Sequence, residues 1–184
     1  MALDGAAAAG AAIELLDLRQ LELPMFNPEQ EARAPAVVQT TIETCYEADG
    51  MLWSSPMYNG SVSGSFKNAI DWLHMLGSRE PSFLHDKVIG LISAAGGTQG
   101  LQVVNTMEFS VRALRAWAVP YVVPVAQATV AFTDSGGLEN RAVEQQLRLL
   151  GEEVVRVAQR FAQDPAAHRQ FACDEAAEQV GRGR

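Results

Sequence analysis

The stretch Ser54 to Leu73, "SSPMYNGSVSGSFKNAIDWL", leaves an apolar run, passes a proline and a polar turn, and becomes an amphipathic helix. Pro56 cannot donate to a strand ladder, so it ends the strand "GMLWSSP" at 50–56. Asn59-Gly60 tolerates the positive φ of a tight turn, and Ser63 is placed to cap a helix running to about Leu76. Phe66, Ile70, Leu73 and Trp72 are the candidates for that helix's buried face. Strand, turn and helix in this order form the unit from which parallel sheets are assembled.

The alternation continues on both sides. "KVIGLISAAGG" (87–97) is a continuous apolar run, as expected of a strand covered on both faces. A helix follows from about Gly100 to Trp117, then the strand "PYVVPV" (120–125). The last helix, 138–162, carries Val143, Leu147, Leu150, Val154, Val157 and Phe161 on one stripe. Upstream, "AIELLDL" (12–18) reads as a strand and "APAVVQTTIETCYEAD" (34–49) as a helix. The pattern predicts an α/β domain over residues 1–162, a doubly wound parallel sheet with helices on both faces. Residues 163–184 form a polar C-terminal tail. Open sheets of this kind bind ligands outside the carboxyl ends of their strands. The loops 54–61 and 93–100 therefore share a rim, and Gly96, Gly97 and Gly100 let bare backbone N–H groups approach a flat ligand.

Composition narrows the function classes. The 184 residues are 48% apolar and 20% charged, with a net charge of −8 and a pI near 4.8. That balance argues against nucleic acid and against an anionic membrane surface as partners. No run of 18 apolar residues and no basic leader is present, so a cytoplasmic protein is expected. Cys45 and Cys173 lie far apart and read as free thiols. His74, His85 and His168 lack metal or catalytic spacing, and the serines at 61, 63 and 65 do not form G-x-S-x-G. No metal and no catalytic side chain is expected. Lys67 and Asp71 read as solvated helix residues, Trp53 as core, and Asp134 with "SGG" as a turn. Trp72 and Trp117 both read as helical, in the core or at a subunit contact.

Taken together, "SSPMYNGSVSGSFKNAIDWL" and "KVIGLISAAGGTQG" resemble the NAD(P)H-dependent FMN reductases and the related quinone, chromate and azo-dye reductases of flavodoxin-like fold. The likeness extends to "LPMF" and "LRAWAVP" and so spans nearly the whole chain. It implies an oxidoreductase and flavoprotein with FMN as cofactor and NAD(P)H as electron donor, passing electrons to a flavin, quinone or other small acceptor. Carried over by position, Pro56, Met57, Tyr58, Asn59, Gly60 and Ser61 form one wall of the flavin site. Ser93, Gly96, Gly97, Thr98 and Gln99 form the other. Backbone N–H groups near the ring's pyrimidine end suit the negative charge of reduced flavin. Association through helices beside the rim implies a homodimer or homotetramer.

One departure stands out. The family opens with a strand and a loop like G-S-x-R-x-x-S-x-N that holds the FMN phosphate, and none of the residues before "AIELLDL" is Arg, Ser or Asn. In the order 2-1-3-4-5 that strand is central, so the first strand is expected to be missing from this sheet. A start further upstream, a differently closed sheet, and a second chain filling the gap are the three explanations; the first is favoured. Two other functions are weighed against the reductase. One is a flavin-free, flavodoxin-like binding or assembly protein. The other is a one-electron carrier, disfavoured because the loop at 93–100 has no aromatic residue.

Overall fold

The computed structural model describes residues 1–133 and 136–163. Asp134, His168, Cys173 and the tail from 164 onward lie outside these residues. The elements are α1 (Ala2–Ala8), the single turn α2 (Leu18–Leu21), α3 (Ala36–Glu47), β1 (Gly50–Pro56) and α4 (Gly64–Trp72). They continue with β2 (Val88–Ala94), α5 (Leu101–Ala113), β3 (Trp117–Val125), the single turn α6 (Ala128–Ala131) and α7 (Arg141–Gln163). Short 3-10 helices cover Pro28–Arg33 and Leu73–Ser78.

The sheet is parallel, in the order β1-β2-β3. β1 and β2 pair from Gly50↔Val88 to Pro56↔Ala94, and the β2–β3 register shifts between Ile89 and Leu91. Alternate side chains of the strands feed two cores. On one face Trp53, Ile89 and Leu91 meet Val38 and Ile42 of α3, Phe66 and Trp72 of α4, and Val103, Met107 and Val111 of α5. On the other, Val88, Ile92, Val119 and Val123 meet Leu147, Leu150 and Val154 of α7. β2 is buried along its length apart from its last residue, as the continuous apolar run predicts. α7 reaches the sheet at Gly90, where a Cβ would stand 2.7 Å from Val154 Cγ2 and 2.8 Å from Leu52 Cδ2.

α1 lies on α7 with backbone against backbone. A Cβ on Gly5 would sit 2.0 Å from the Arg148 carbonyl oxygen, and one on Gly151 2.0 Å from that of Ala2. Both glycines are thus required by close approach.

Two expectations need correction. The segment read as a strand at 12–18 is not one: residues 11–17 have no regular structure, and α2 begins at Leu18. Leu15 (73%) and Ile13 (47%) are exposed, whereas Leu16 is half-buried and Leu18 packs on the first core. A strand is stabilised by ladder bonds to a neighbour, and among the described residues none lies beside this segment. Among the described residues the edge of β1 away from β2 is likewise unpaired. Second, Trp117 is not helical. α5 ends at Ala113, Arg115 takes φ of 63°, and Trp117 opens β3 at the rim opposite the glycine-rich loop. Its indole N–H donates to Asp86 Oδ1 (3.2 Å), and the ring packs on Phe161. Trp72 belongs to the core, 2% exposed.

Cys45 packs on the first core, and burial, reinforced by the nearby Glu14 carboxylate, pushes its thiol up from 9.0 to about 11. The raised value favours the neutral thiol in the folded chain. Cys45 is therefore without effect on stability below pH 9 and destabilises the fold as pH rises from 9 towards 11. In a Cys173→Ser background, alkylation of Cys45 at pH 8 is expected to run at least ~10-fold slower in the native than in the urea-unfolded chain. Equal rates would show an accessible thiolate and sink the assignment.

Candidate functional site

The loops after β1 and β2 stand side by side at the carboxyl end of the sheet. They are joined where the Met57 N–H donates to the Ala94 carbonyl (2.8 Å). In the first loop Tyr58 and Ser61 exchange backbone hydrogen bonds of 3.0 and 3.1 Å, enclosing Asn59 (φ 51°) and Gly60 (φ 82°). Positive φ at both central residues is the twist-matched hairpin turn that Asn-Gly favours. The turn holds Tyr58 out into solvent, 62% exposed. Below it Ser55 Oγ donates to the Pro56 carbonyl and accepts from the Ser63 N–H, each at 3.0 Å. Ser63 Oγ accepts from the Phe66 N–H (3.2 Å), so Ser63 caps α4 as its position in the sequence predicts. The turn is thereby fixed to both β1 and α4.

The second loop is anchored from below. The Ala95 N–H donates to the Val125 carbonyl, and Gln127 and Ala128 donate to the carbonyls of Gly97 and Ala95, all within 2.9 Å. Gly96, Gly97, Thr98 and Gln99 are exposed, whereas Ser93 and Gly100 are buried. A Cβ built on Gly96 or Gly97 meets nothing within 4 Å. Neither glycine is demanded by packing, and both leave open space above bare backbone. Among the described residues no acceptor pairs with any backbone N–H from Gly96 to Gln102. That run of donors ends at the N-terminus of α5, where the helix dipole adds partial positive charge. The arrangement suits a flat ligand whose edge carries hydrogen-bond acceptors.

Asn68, to which the sequence reading gave no role, and Trp72 brace a third segment. Asn68 Oδ1 accepts from the Phe26 N–H (2.8 Å), and Asn68 Nδ2 donates to the Leu23 and Pro24 carbonyls (3.3 and 2.9 Å). Trp72 Nε1 donates to the Pro24 carbonyl (2.8 Å), and Phe26 meets the Trp72 ring edge-on. The "LPMF" segment is thus clamped along α4, with Met25 exposed at its tip. Asn68 meets these partners more than 40 residues away in sequence, so nothing local announces them. Lys67 and Asp71 form an ion pair on the solvent side of α4. His74 lies near Phe26 and Phe83, and His85 contacts Asp86 at the far rim. A groove of about 700 Å³ lined by Ala8, Tyr121, Leu149, Glu152 and Arg156 takes no residue from either loop.

Family comparison decides what this rim belongs to. A model of the NADPH-dependent FMN reductase family matches residues 1–130, the span that contains both loops. The chain belongs to that family. Among curated relatives of this FMN reductase family chain, the NADPH azoreductase of Bacillus sp. (strain OY1-2) is 34% identical over 107 residues, covering 58% of this chain and 57% of that protein. The NADPH:quinone oxidoreductase of Arabidopsis thaliana is 34% identical over 121 residues, covering 58% and 60%. The chain thus spans about 60% of the length of the curated relatives it matches. The solved structure of RosB superposes with a TM-score of 0.75 at 16% identity, over 97% of this chain and 79% of that one. FerB from Paracoccus denitrificans gives 0.67 at 20% identity, over 86% and 88%. At these identities the structures establish the fold, a flavodoxin-like doubly wound α/β domain, here with three of the sheet's strands.

FMN is the cofactor the family name implies. The open face over Gly96 and Gly97 and the unpaired amides beside it would suit its ring end. No described helix is long and apolar enough to cross a membrane.

Proposed function

We propose that this chain is the flavin-holding unit of an NAD(P)H-dependent oxidoreductase acting on a flavin, quinone or other small acceptor. The observation that carries this reading is the unpaired amide run Gly96–Gln102 set beside the Tyr58–Ser61 turn, with open space above Gly96 and Gly97. FMN bound there supplies the hydride chemistry between NAD(P)H and the acceptor. The protein's part is orientation and charge. Pro56, Met57, Tyr58, Asn59, Gly60 and Ser61 would border the ring on one side, and Ser93, Gly96, Gly97, Thr98 and Gln99 on the other. Amides 96–99 would donate to acceptor atoms at the pyrimidine edge and favour its reduced, negative form. No side chain is asked to act as acid or base.

Residues 1–162 would belong to one flavodoxin-like domain of that enzyme, working in the cytoplasm, where NAD(P)H is regenerated. Leu101 and Phe109 project from one exposed face of α5 beside the rim, which supports a homodimer or homotetramer in which a second copy covers the ring. The test is a titration of the purified chain with FMN and, in parallel, riboflavin, followed by the visible flavin bands and then by addition of NADPH. Saturable perturbation with both flavins, within a few-fold in affinity, and bleaching by NADPH is the expected result. A silent titration with both would favour the flavin-free binding protein.

A further inference from the structure

Two buried side-chain oxygens among the described residues have no hydrogen-bond partner: Glu31 Oε1, on the 3-10 helix at Pro28–Arg33, and Ser93 Oγ. Ser93 is 0% exposed and lies at the carboxyl end of β2, directly beneath the glycine-rich loop. Its hydroxyl points at the residue that caps α5. A Cβ built on Gly100 would stand 2.6 Å from Ser93 Oγ, with Pro124 Cβ the next atom of another residue at 3.6 Å. Above it runs the stretch of amides, Gly96 to Gln102, that have no acceptor in the protein. The unpaired hydroxyl thus lies against the Gly100 cap, whose own N–H and those of its neighbours also have no acceptor. Burying a hydroxyl unpaired is unfavourable, and folded chains rarely leave one so unless another state satisfies it.

We infer that Ser93 is a positioning residue for the flavin site, an inference that rests on the function proposed above. When an acceptor-edged ligand engages the exposed amides of Gly96 to Gln99, the cap of α5 settles onto Ser93. Its Oγ then accepts the N–H of Gly100 or Leu101. Glycine at 100 makes this settling possible, because any side chain there would occupy the space between cap and hydroxyl. The hydrogen bond exists only in the loaded state and so contributes wholly to affinity. In the free chain the same hydroxyl is a liability.

The consequence is an opposite sign in the two states, which a merely structural serine does not produce. Ser93→Ala in the full chain is expected to melt about 2–4 °C higher than wild type without flavin. Its Kd for FMN is expected to rise on the order of tenfold, the worth of one hydrogen bond formed on binding. Ser93→Cys separates hydrogen bonding from volume, since it fills the space with a group that pairs poorly. It should weaken FMN binding as Ala does. Unchanged FMN affinity in Ser93→Ala, wild-type affinity in Ser93→Cys, or a lower melting temperature of flavin-free Ser93→Ala each overturns the inference. Failure of the wild-type chain itself to bind FMN is a different result: it removes the flavin reading, and the positioning role with it. The flavin-free melting shift still reports whether the unpaired hydroxyl destabilises the fold.

Discussion

Gly96→Val and Gly97→Val are each expected to weaken FMN binding ~100-fold or more, about 2.7 kcal/mol, while the melting temperature moves by no more than ~2 °C. The two halves of this result come from the same observation. A Cβ at either position meets nothing within 4 Å, and neither residue takes the left-handed φ that would strain valine. The fold therefore accepts the substitution as it accepts most exposed ones, within about 0.5 kcal/mol. The ligand does not. A branched side chain fills the space through which a flat ring must descend to reach the amides of 96–99, and the donors are then held too far from it to bond. Titration by flavin absorbance and a thermal melt of each flavin-free variant read the two quantities independently. Valine variants that bind FMN like wild type would place the ring elsewhere. Variants that melt well below wild type would show that these glycines serve the fold.

Gly90→Val tests the opposite situation, a glycine that packing demands. Its Cβ would lie 2.7 Å from Val154 Cγ2, 2.8 Å from Leu52 Cδ2 and 3.1 Å from Leu150 Cδ1. β2 is the central strand of the sheet, and α7 lies directly over this point, so neither neighbour can retreat without disturbing the other core. Overpacking of this kind typically costs about 1–3 kcal/mol for added methylenes, and a valine adds three carbons to a gap too small for one. A loss of at least ~3 kcal/mol is expected, out of a total stability on the order of 5–15 kcal/mol. Urea unfolding should show a lower midpoint at an unchanged slope. A midpoint within error of wild type would mean that α7 is not seated on β2 as described.

Much of the rim was legible because its causes are local. Asn59-Gly60 announces its turn through backbone conformation alone, and Ser63 announces its cap through one side chain reaching three residues ahead. β2 was legible because a strand covered on both faces needs apolar residues at every position. "AIELLDL" carries a similar apolar signal yet forms no strand. Composition reports a preference for extended backbone, but a ladder needs a second strand, and that information lies outside the segment. The end of α5 was misread for a related reason. "SVRALRAWAV" keeps a helical spacing of apolar residues past Ala113, while the pairing of Trp117 with β2 draws the chain into β3 and Arg115 takes up the turn. Asn68 and the unpaired Ser93 hydroxyl were beyond reach, since one depends on partners more than 40 residues distant and the other on a partner that is absent.

The unpaired side of β1 bears on how the protein is handled as well as on how it folds. Among the described residues nothing pairs with this edge, and a strand with a free row of donors and acceptors is a template for any extended segment that meets it, identical on each copy. Residues 11–17, without regular structure and exposing Ile13 and Leu15, are such a segment on every copy. Self-association through this edge would rise with concentration and persist at high salt, because backbone pairing is not screened as charges are. A size measured only at crystallisation concentrations would confuse that sticking with a specific dimer through α5, so light scattering over a dilution series belongs beside every flavin titration.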